Sequence, residues 1–161
     1  MGTLEVSYDS KLDQYVIPVM LVRRGGAPAT KMTTLEMIVD TGSNTSAISE
    51  ETAVKLCFYP DRLRKRQVMG IGAYTDERLI EEHMDLFLGE ALGTVELTEM
   101  FVYLPLTKKV RKKSVGVTVV HGEQKIPAPN IFGMDALSRI SGLPGRLTID
   151  TGTKTGRIDW G

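Results

Sequence analysis

A chain of 161 residues in which twenty basic side chains balance twenty acidic ones has no global charge to attract nucleic acid or an anionic membrane. With 42% hydrophobic and 25% charged residues, it has the composition of an ordinary globular domain, long enough to bury a core without disulfide staples. Its single cysteine, Cys57, excludes an intrachain disulfide and a zinc site built on thiolates.

In chain order, Met1 to Ser7 lacks a basic region followed by an apolar block, so no signal peptide is expected. Val6 stands where a myristoylation pattern needs Ser or Thr. No apolar run approaches the ~18 residues of a membrane span. A cytoplasmic location is the expectation, for a chain that could also be one domain of a longer, anchored protein. Tyr15 to Val22 is almost wholly apolar, as a strand buried on both faces would be, and Gly25-Gly26 supplies a turn. Thr34 to Val39 is a second strand that runs directly into Asp40. Ser49 is placed to cap a short helix with Glu50 and Glu51 in its first turn and Val54, Leu56 and a buried Cys57 on its apolar face. Met84, Leu86 and Leu88 alternate with Asp85 and Phe87 and predict a strand closed by a Gly89-Glu90 turn. Phe101 to Leu104 predicts another.

Lys108 to Lys113 is the one strong charge cluster and reads as a solvated loop between strands, the alternative being a contact for acidic substrate regions or nucleic acid. Val115, Val117 and Val119 alternate with Gly116 and Thr118, and a turn is expected at Gly122-Glu123. A second helix is predicted from Met134 to Ile140, ending near Gly142. Leu147 to Ile149 and the segment from Gly156 to Gly161 form a last hairpin around Gly152 to Gly156. Many short strands with one or two short helices make a single, predominantly β domain over 1–161.

Chemistry concentrates at Asp40. The strand Met37-Ile38-Val39 delivers this carboxylate into Thr41-Gly42-Ser43, where Gly42 lets the backbone come close and two hydroxyls flank it. The tripeptide alone is equally an Asx-type turn after a strand. Its flanks are more specific: two bulky apolar residues before it, Ser43 after it, and the return through Thr45-Ser46-Ala47-Ile48-Ser49. These residues resemble the active-site loop of aspartic proteases. Asn130-Ile131-Phe132-Gly133-Met134-Asp135-Ala136-Leu137 resembles the apolar-apolar-Gly segment and short helix that support that loop in the single-domain, retropepsin-like branch. Met69, Gly70, Ile71, Gly72, Ala73 and Tyr74 resemble the flap hairpin that closes over substrate. The resemblance spans roughly Tyr15 to Trp160. Two departures stand out: Met134 occupies the place where viral members commonly carry Arg, and 104–129 is longer than a minimal retropepsin needs.

The resemblance implies an all-β, retropepsin-like acid protease barrel with a flap hairpin. It implies an endopeptidase acting through Asp40, with Thr41, Gly42 and Ser43 in the active-site loop and Ile131, Phe132 and Gly133 in the supporting segment. Thr41 would bond across a dimer, Gly42 would present backbone to substrate, and Ser43 would donate to the outer oxygen of Asp40. That donation would favour the ionised carboxyl and an acidic activity optimum. Ile48, Ile71 and Ile131 would contribute to pockets, and Tyr74 would either close the cleft or pack beneath the flap.

This chemistry needs two carboxyl groups sharing one proton, because like charges a few ångströms apart cannot both ionise. One motif per chain therefore implies a homodimer with a peptide or protein substrate on its axis. No metal, organic cofactor or nucleic-acid partner is expected. A dimeric peptide-binding or assembly domain of the same fold, without turnover, is the alternative. Asp150-Thr151-Gly152 repeats the tripeptide, but only nine residues follow Gly152, too few for a second lobe, and it reads as a hairpin turn. His83 and His121 are too separated along the chain to suggest a zinc centre.

Overall fold

The computed structural model describes residues 1–25, 30–70, 73–89, 93–114 and 117–161, without side chains at 67–70, 73–76, 106–114 and 117–125. Of the predicted turns and strands, Gly26, Glu90, Val115 and Gly116 lie outside the described residues, as do Ile71 and Gly72.

The first half of the chain comprises β1 (Gly2–Asp9), β2 (Gln14–Arg23), β3 (Lys31–Val39), β4 (Ala47–Ser49), α1 (Glu50–Lys55), a 3-10 turn at Pro60–Arg62, and β5 (Arg64–Gly70). There follow β6 (Ala73–Ile80), β7 (Met84–Leu88), β8 (Gly93–Leu97), β9 (Met100–Tyr103), β10 (Leu106–Ser114) and β11 (Val117–Ile126). The chain ends with β12 (Ile131–Phe132), α2 (Met134–Leu137), β13 (Gly145–Asp150) and β14 (Thr155–Trp160). Twelve strands form one sheet in the order β13-β14-β1-β2-β3-β12-β4-β9-β6-β5, with β7 paired to β2 and β8 paired to β7. β10 and β11 form a separate ribbon.

Strand alternation sorts the side chains into two clusters. Met37, Ile48, Ile80, Val102 and Phe132 enter the main core with Ile17, Leu21, Leu86 and Leu88. Their sequence neighbours Ala47, Leu79, Phe101 and Ile131 form a smaller cluster on the other face, flanked by Ile38 and Tyr103. Because successive strand residues face opposite ways, Ile48 lies in the main core and Ile131 in the smaller cluster, on opposite sides of the sheet. Ile48 is fully buried in the main core. The chain ends are stitched by Gly2↔Trp160 and Leu4↔Ile158 in the β1–β14 ladder. The indole of Trp160 packs so closely on Gly2 that a Cβ there would come within 2.3 Å of the ring.

Tyr15 to Val22 is indeed buried on both faces apart from Pro18 and the half-buried Tyr15 and Met20. Three local expectations are corrected. The basic cluster Lys108 to Lys113 is not a loop: it is the middle of β10, paired antiparallel with β11 through Lys109↔Glu123 and Lys112↔Val119. Gly122-Glu123 is accordingly strand rather than turn. The first helix stops at Lys55, so Cys57 is not on its face, and Val54 is exposed. Cys57 takes the left-handed conformation (φ 59°) usually given to glycine, half-buried, while its amide bonds Val54 and that of Phe58 reaches back to Ala53. The side chain of Phe58 is buried behind this cap. The second helix closes at Leu137 rather than Ile140.

Candidate active site

β3 ends where Asp40 begins the loop 40–46, and β4 carries the chain back. Between these two limbs lies β12, parallel to β3 through Ile131↔Ile38 and Phe132↔Val39, and antiparallel to β4 through Ile131↔Ala47. The backbone extends this wedge in both directions. The Ile38 amide donates to Asn130 O (2.8 Å) and the Asp40 amide to Phe132 O (3.1 Å). Past the strand, the Met134 amide donates to Ser43 O (2.8 Å) and that of Asp135 to Asn44 O (3.2 Å). The carboxylate of Asp135 accepts from both the amide (2.9 Å) and the hydroxyl (2.7 Å) of Ser46, whose Oγ in turn accepts from the Gly133 amide (3.0 Å). A Cβ on Gly133 would lie 2.8 Å from the carbonyl carbon of Thr45 and 3.0 Å from Ser43 O. Glycine is required there by proximity.

The supporting segment Ile131, Phe132 and Gly133 thus holds the loop of Asp40, Thr41, Gly42 and Ser43 from below. Asp40 is half-buried, while Thr41 and Gly42 are exposed at the loop tip. The Gly42 amide donates to Asp40 Oδ1 (2.8 Å). Ser43 differs from expectation: its hydroxyl donates to Thr45 O (2.8 Å), two residues along its own loop, so the Gly42 amide rather than the Ser43 hydroxyl is the donor to the Asp40 carboxylate, while the Ser43 amide donates to Asp40 O (3.2 Å). The phenol of Tyr103, a residue with no local sequence signal, lies near the Ser43 hydroxyl and the Asp40 carboxylate. Burial first, then the nearby Glu77 carboxylate, lifts the Tyr103 phenol above its ordinary 10.0; the Ser43 hydroxyl opposes this and the charge of Asp40 adds to it. A raised folded-state value stabilises fully below the unfolded value and is lost as pH rises through the folded one. Urea unfolding above pH 10 should therefore show a steeper alkaline loss for the parent than for Tyr103→Phe.

Asn130 ties the segment to α1: its Oδ1 accepts from the Ser49 amide (2.8 Å) and the Thr52 hydroxyl (3.0 Å). Ser49 simultaneously caps α1 by accepting from the Thr52 amide, as expected. Asn130→Ala strands the buried Ser49 and Thr52 donors and should cost about 1–3 kcal/mol in denaturant unfolding.

At the position expected for the flap, the backbone forms an antiparallel pair of strands. β5 and β6 pair through Met69↔Tyr74 and Gly70↔Ala73, with Ile71 and Gly72 outside the described residues. The side chains of Met69 and Tyr74 are likewise outside the description. The second tripeptide has the local geometry of the first without its support: Asp150 Oδ1 accepts from the amides of Gly152 (2.9 Å) and Thr153 (3.1 Å) in the β13–β14 turn. The Thr153 amide and hydroxyl, then the Gly152 amide, hold the Asp150 carboxyl below its ordinary value.

Outside this loop, Asp85 and Glu96 face each other across β7–β8, and His83 Nε2 lies 3.3 Å from Asp85 Oδ1 and 3.8 Å from Glu96 Oε2. The guanidinium of Arg24 bonds Asp85 and approaches Glu96 to 3.6 Å. This is the one place among the described residues where three groups could meet a metal, and Arg24 already supplies its cation.

No family model and no curated protein matches the sequence. Among solved structures, the crystal structure of a retropepsin-like aspartic protease from Rickettsia conorii matches with a TM-score of 0.58 and 15% identity, covering 98% of this chain and 89% of that one. The fold is therefore all-β and retropepsin-like. Among the described residues, no helix is long and apolar enough to cross a membrane.

Proposed function

We propose that the chain is one subunit of a homodimeric aspartic endopeptidase in which Asp40 of each subunit supplies half of a catalytic dyad. The observation that carries this reading is the clamping of the Asp40 loop by the Ile131–Gly133 segment, a support that the Asp150 turn lacks among the described residues. The exposed Thr41-Gly42 tip is available to a symmetry mate, as a shared cleft requires.

In the proposed reaction the ionised carboxyl of the pair takes a proton from water as the water attacks the scissile carbon. The protonated carboxyl hydrogen-bonds the carbonyl oxygen and protonates it. The resulting gem-diol collapses as a proton passes to the leaving nitrogen, and the pair again shares one proton. Each positioned transfer is worth ~10²–10⁴-fold. Gly42 anchors one oxygen of each Asp40, so the carboxyl is oriented before substrate arrives. An extended peptide would lie beneath the Gly70–Ala73 hairpin as an added strand, with side chains against the Ile38, Ile131 and Tyr103 face.

The test is digestion of a peptide library combined with sedimentation analysis. Cleavage should reside in the dimer, and specific activity should fall on dilution as subunits part. A monomer that cleaves at full rate overturns the two-chain dyad. Peptide binding without products, at any pH on the acidic side, would instead assign the alternative binding role.

A further inference from the structure

The ribbon β10–β11 concentrates charge in a chain that is neutral overall. Five of the six residues from Lys108 to Lys113 are basic, Lys125 adds another, and Glu123 is the single acid between Leu106 and Ile126. The ribbon therefore has an excess of five basic residues, and the rest of the chain an equal excess of acidic ones. Neither strand joins the main sheet among the described residues. A solitary two-stranded hairpin is marginal in water and gains order from whatever it contacts.

Its roots place it beside the Asp40 loop. On the entry side Pro105 stands two residues after Tyr103, which neighbours Ser43. On the exit side Pro127-Ala128-Pro129 leads to Asn130, whose carbonyl accepts from Ile38, two residues before Asp40. Pro105 and Pro127 line one shallow groove together with Ser49, Glu50 and Glu51. Of these acids Glu51 is already paired with Lys55 at 2.7 Å. With nine residues in β10, the ribbon extends about 30 Å from those roots, the span of roughly nine residues of extended peptide.

We propose that the ribbon is an accessory docking arm for acidic stretches of a polypeptide substrate, flanking the residues that enter the cleft. The choice of partner rests on the protease reading, since a polypeptide leaving a groove over Asp40 passes the ribbon roots. Nucleic acid fits less well: the segment 106–126 has no Phe, Tyr or Trp on which bases would stack. Attraction of this kind acts on encounter and is screened by salt, because the Debye length shrinks from about 10 Å at 0.1 M to about 3 Å at 1 M.

The test compares two peptides that share one cleavable core, one extended by six Glu and Asp residues and the other by six Ser and Asn residues. For the parent at 50 mM salt, kcat/KM should be about tenfold higher for the acidic peptide, within the range expected of electrostatic steering. The preference should vanish at 1 M salt. It should also vanish in a variant with Lys108, Lys109, Arg111, Lys112 and Lys113 all changed to Gln, while cleavage of the neutral peptide is retained. If that variant misfolds, the parent's salt dependence still decides. Cleavage of both peptides at equal rates at low salt overturns the inference and leaves the protease reading standing. Anisotropy with Asp40→Asn protein reads binding without turnover. If nothing is cleaved but the acidic peptide binds at least tenfold tighter than the neutral one, the protease reading fails and the acid-binding arm survives. Equal binding of the two peptides, or tighter binding of a single-stranded oligonucleotide than of the acidic peptide, rejects the arm.

Discussion

Asp40→Asn should lower kcat/KM for peptide cleavage by about 10⁴-fold or more while leaving the dimer and its melting temperature unchanged. In the proposed dyad an amide can neither take the proton of the attacking water nor hold the shared proton, so both transfers would be lost together. Two steps each worth ~10²–10⁴-fold set the scale, without simple multiplication because the pair acts as a unit. Folding is spared because the asparagine Oδ1 still accepts from the Gly42 amide. Asp150→Asn is the matched control: it keeps an acceptor for Gly152 and Thr153 in the last hairpin and should cleave as the parent does. Asp40→Asn protein retaining a tenth of parental activity would remove the carboxylate from the mechanism.

Gly133→Ala should be nearly as damaging by a different route. The new methyl would sit within 3.0 Å of backbone atoms of both Thr45 and Ser43, and backbone has no rotamer into which to retreat. Overpacking of this kind costs about 1–3 kcal/mol. Relief requires the loop 43–46 to lift from β12, stretching the bonds from Met134 to Ser43 and from Gly133 to Ser46. Activity should therefore fall much further than stability, since a displacement near 1 Å at the reacting groups can cost ~10²-fold. Urea unfolding and kcat on the same preparation separate the two. A kcat at the parental level in a destabilised protein would show that the loop position does not depend on this contact.

The parts of the fold and site that were legible are those written in contiguous residues. Asp40-Thr41-Gly42 after a β-rich run, and Ile131-Phe132-Gly133 before a helix, name both limbs of the wedge without knowledge of their pairing. Strand β1 is equally readable, since Leu4 and Val6 are buried between the exposed Thr3, Glu5 and Ser7. Gly93, Val95 and Leu97 alternate in the same way in β8. Lys108 to Lys113 misleads because lysine has poor strand propensity, which pairing with the valine-rich β11 overrides. The position of Cys57 and the orientation of Ser43 depend on hydrogen bonds that local composition does not announce. Tyr103 is invisible for a further reason: its neighbour Ser43 is remote in the chain, and β9 reaches that loop through its pairing with β4.

The wedge also sets the order of assembly. Two residues near position 131 close a turn that begins at position 40, so most of the chain must be synthesised before that turn has its floor. Contacts of such separation form late and slowly compared with local hairpins. A nascent chain that has not yet reached residue 132 would carry the Asp40 carboxylate on an unsupported loop.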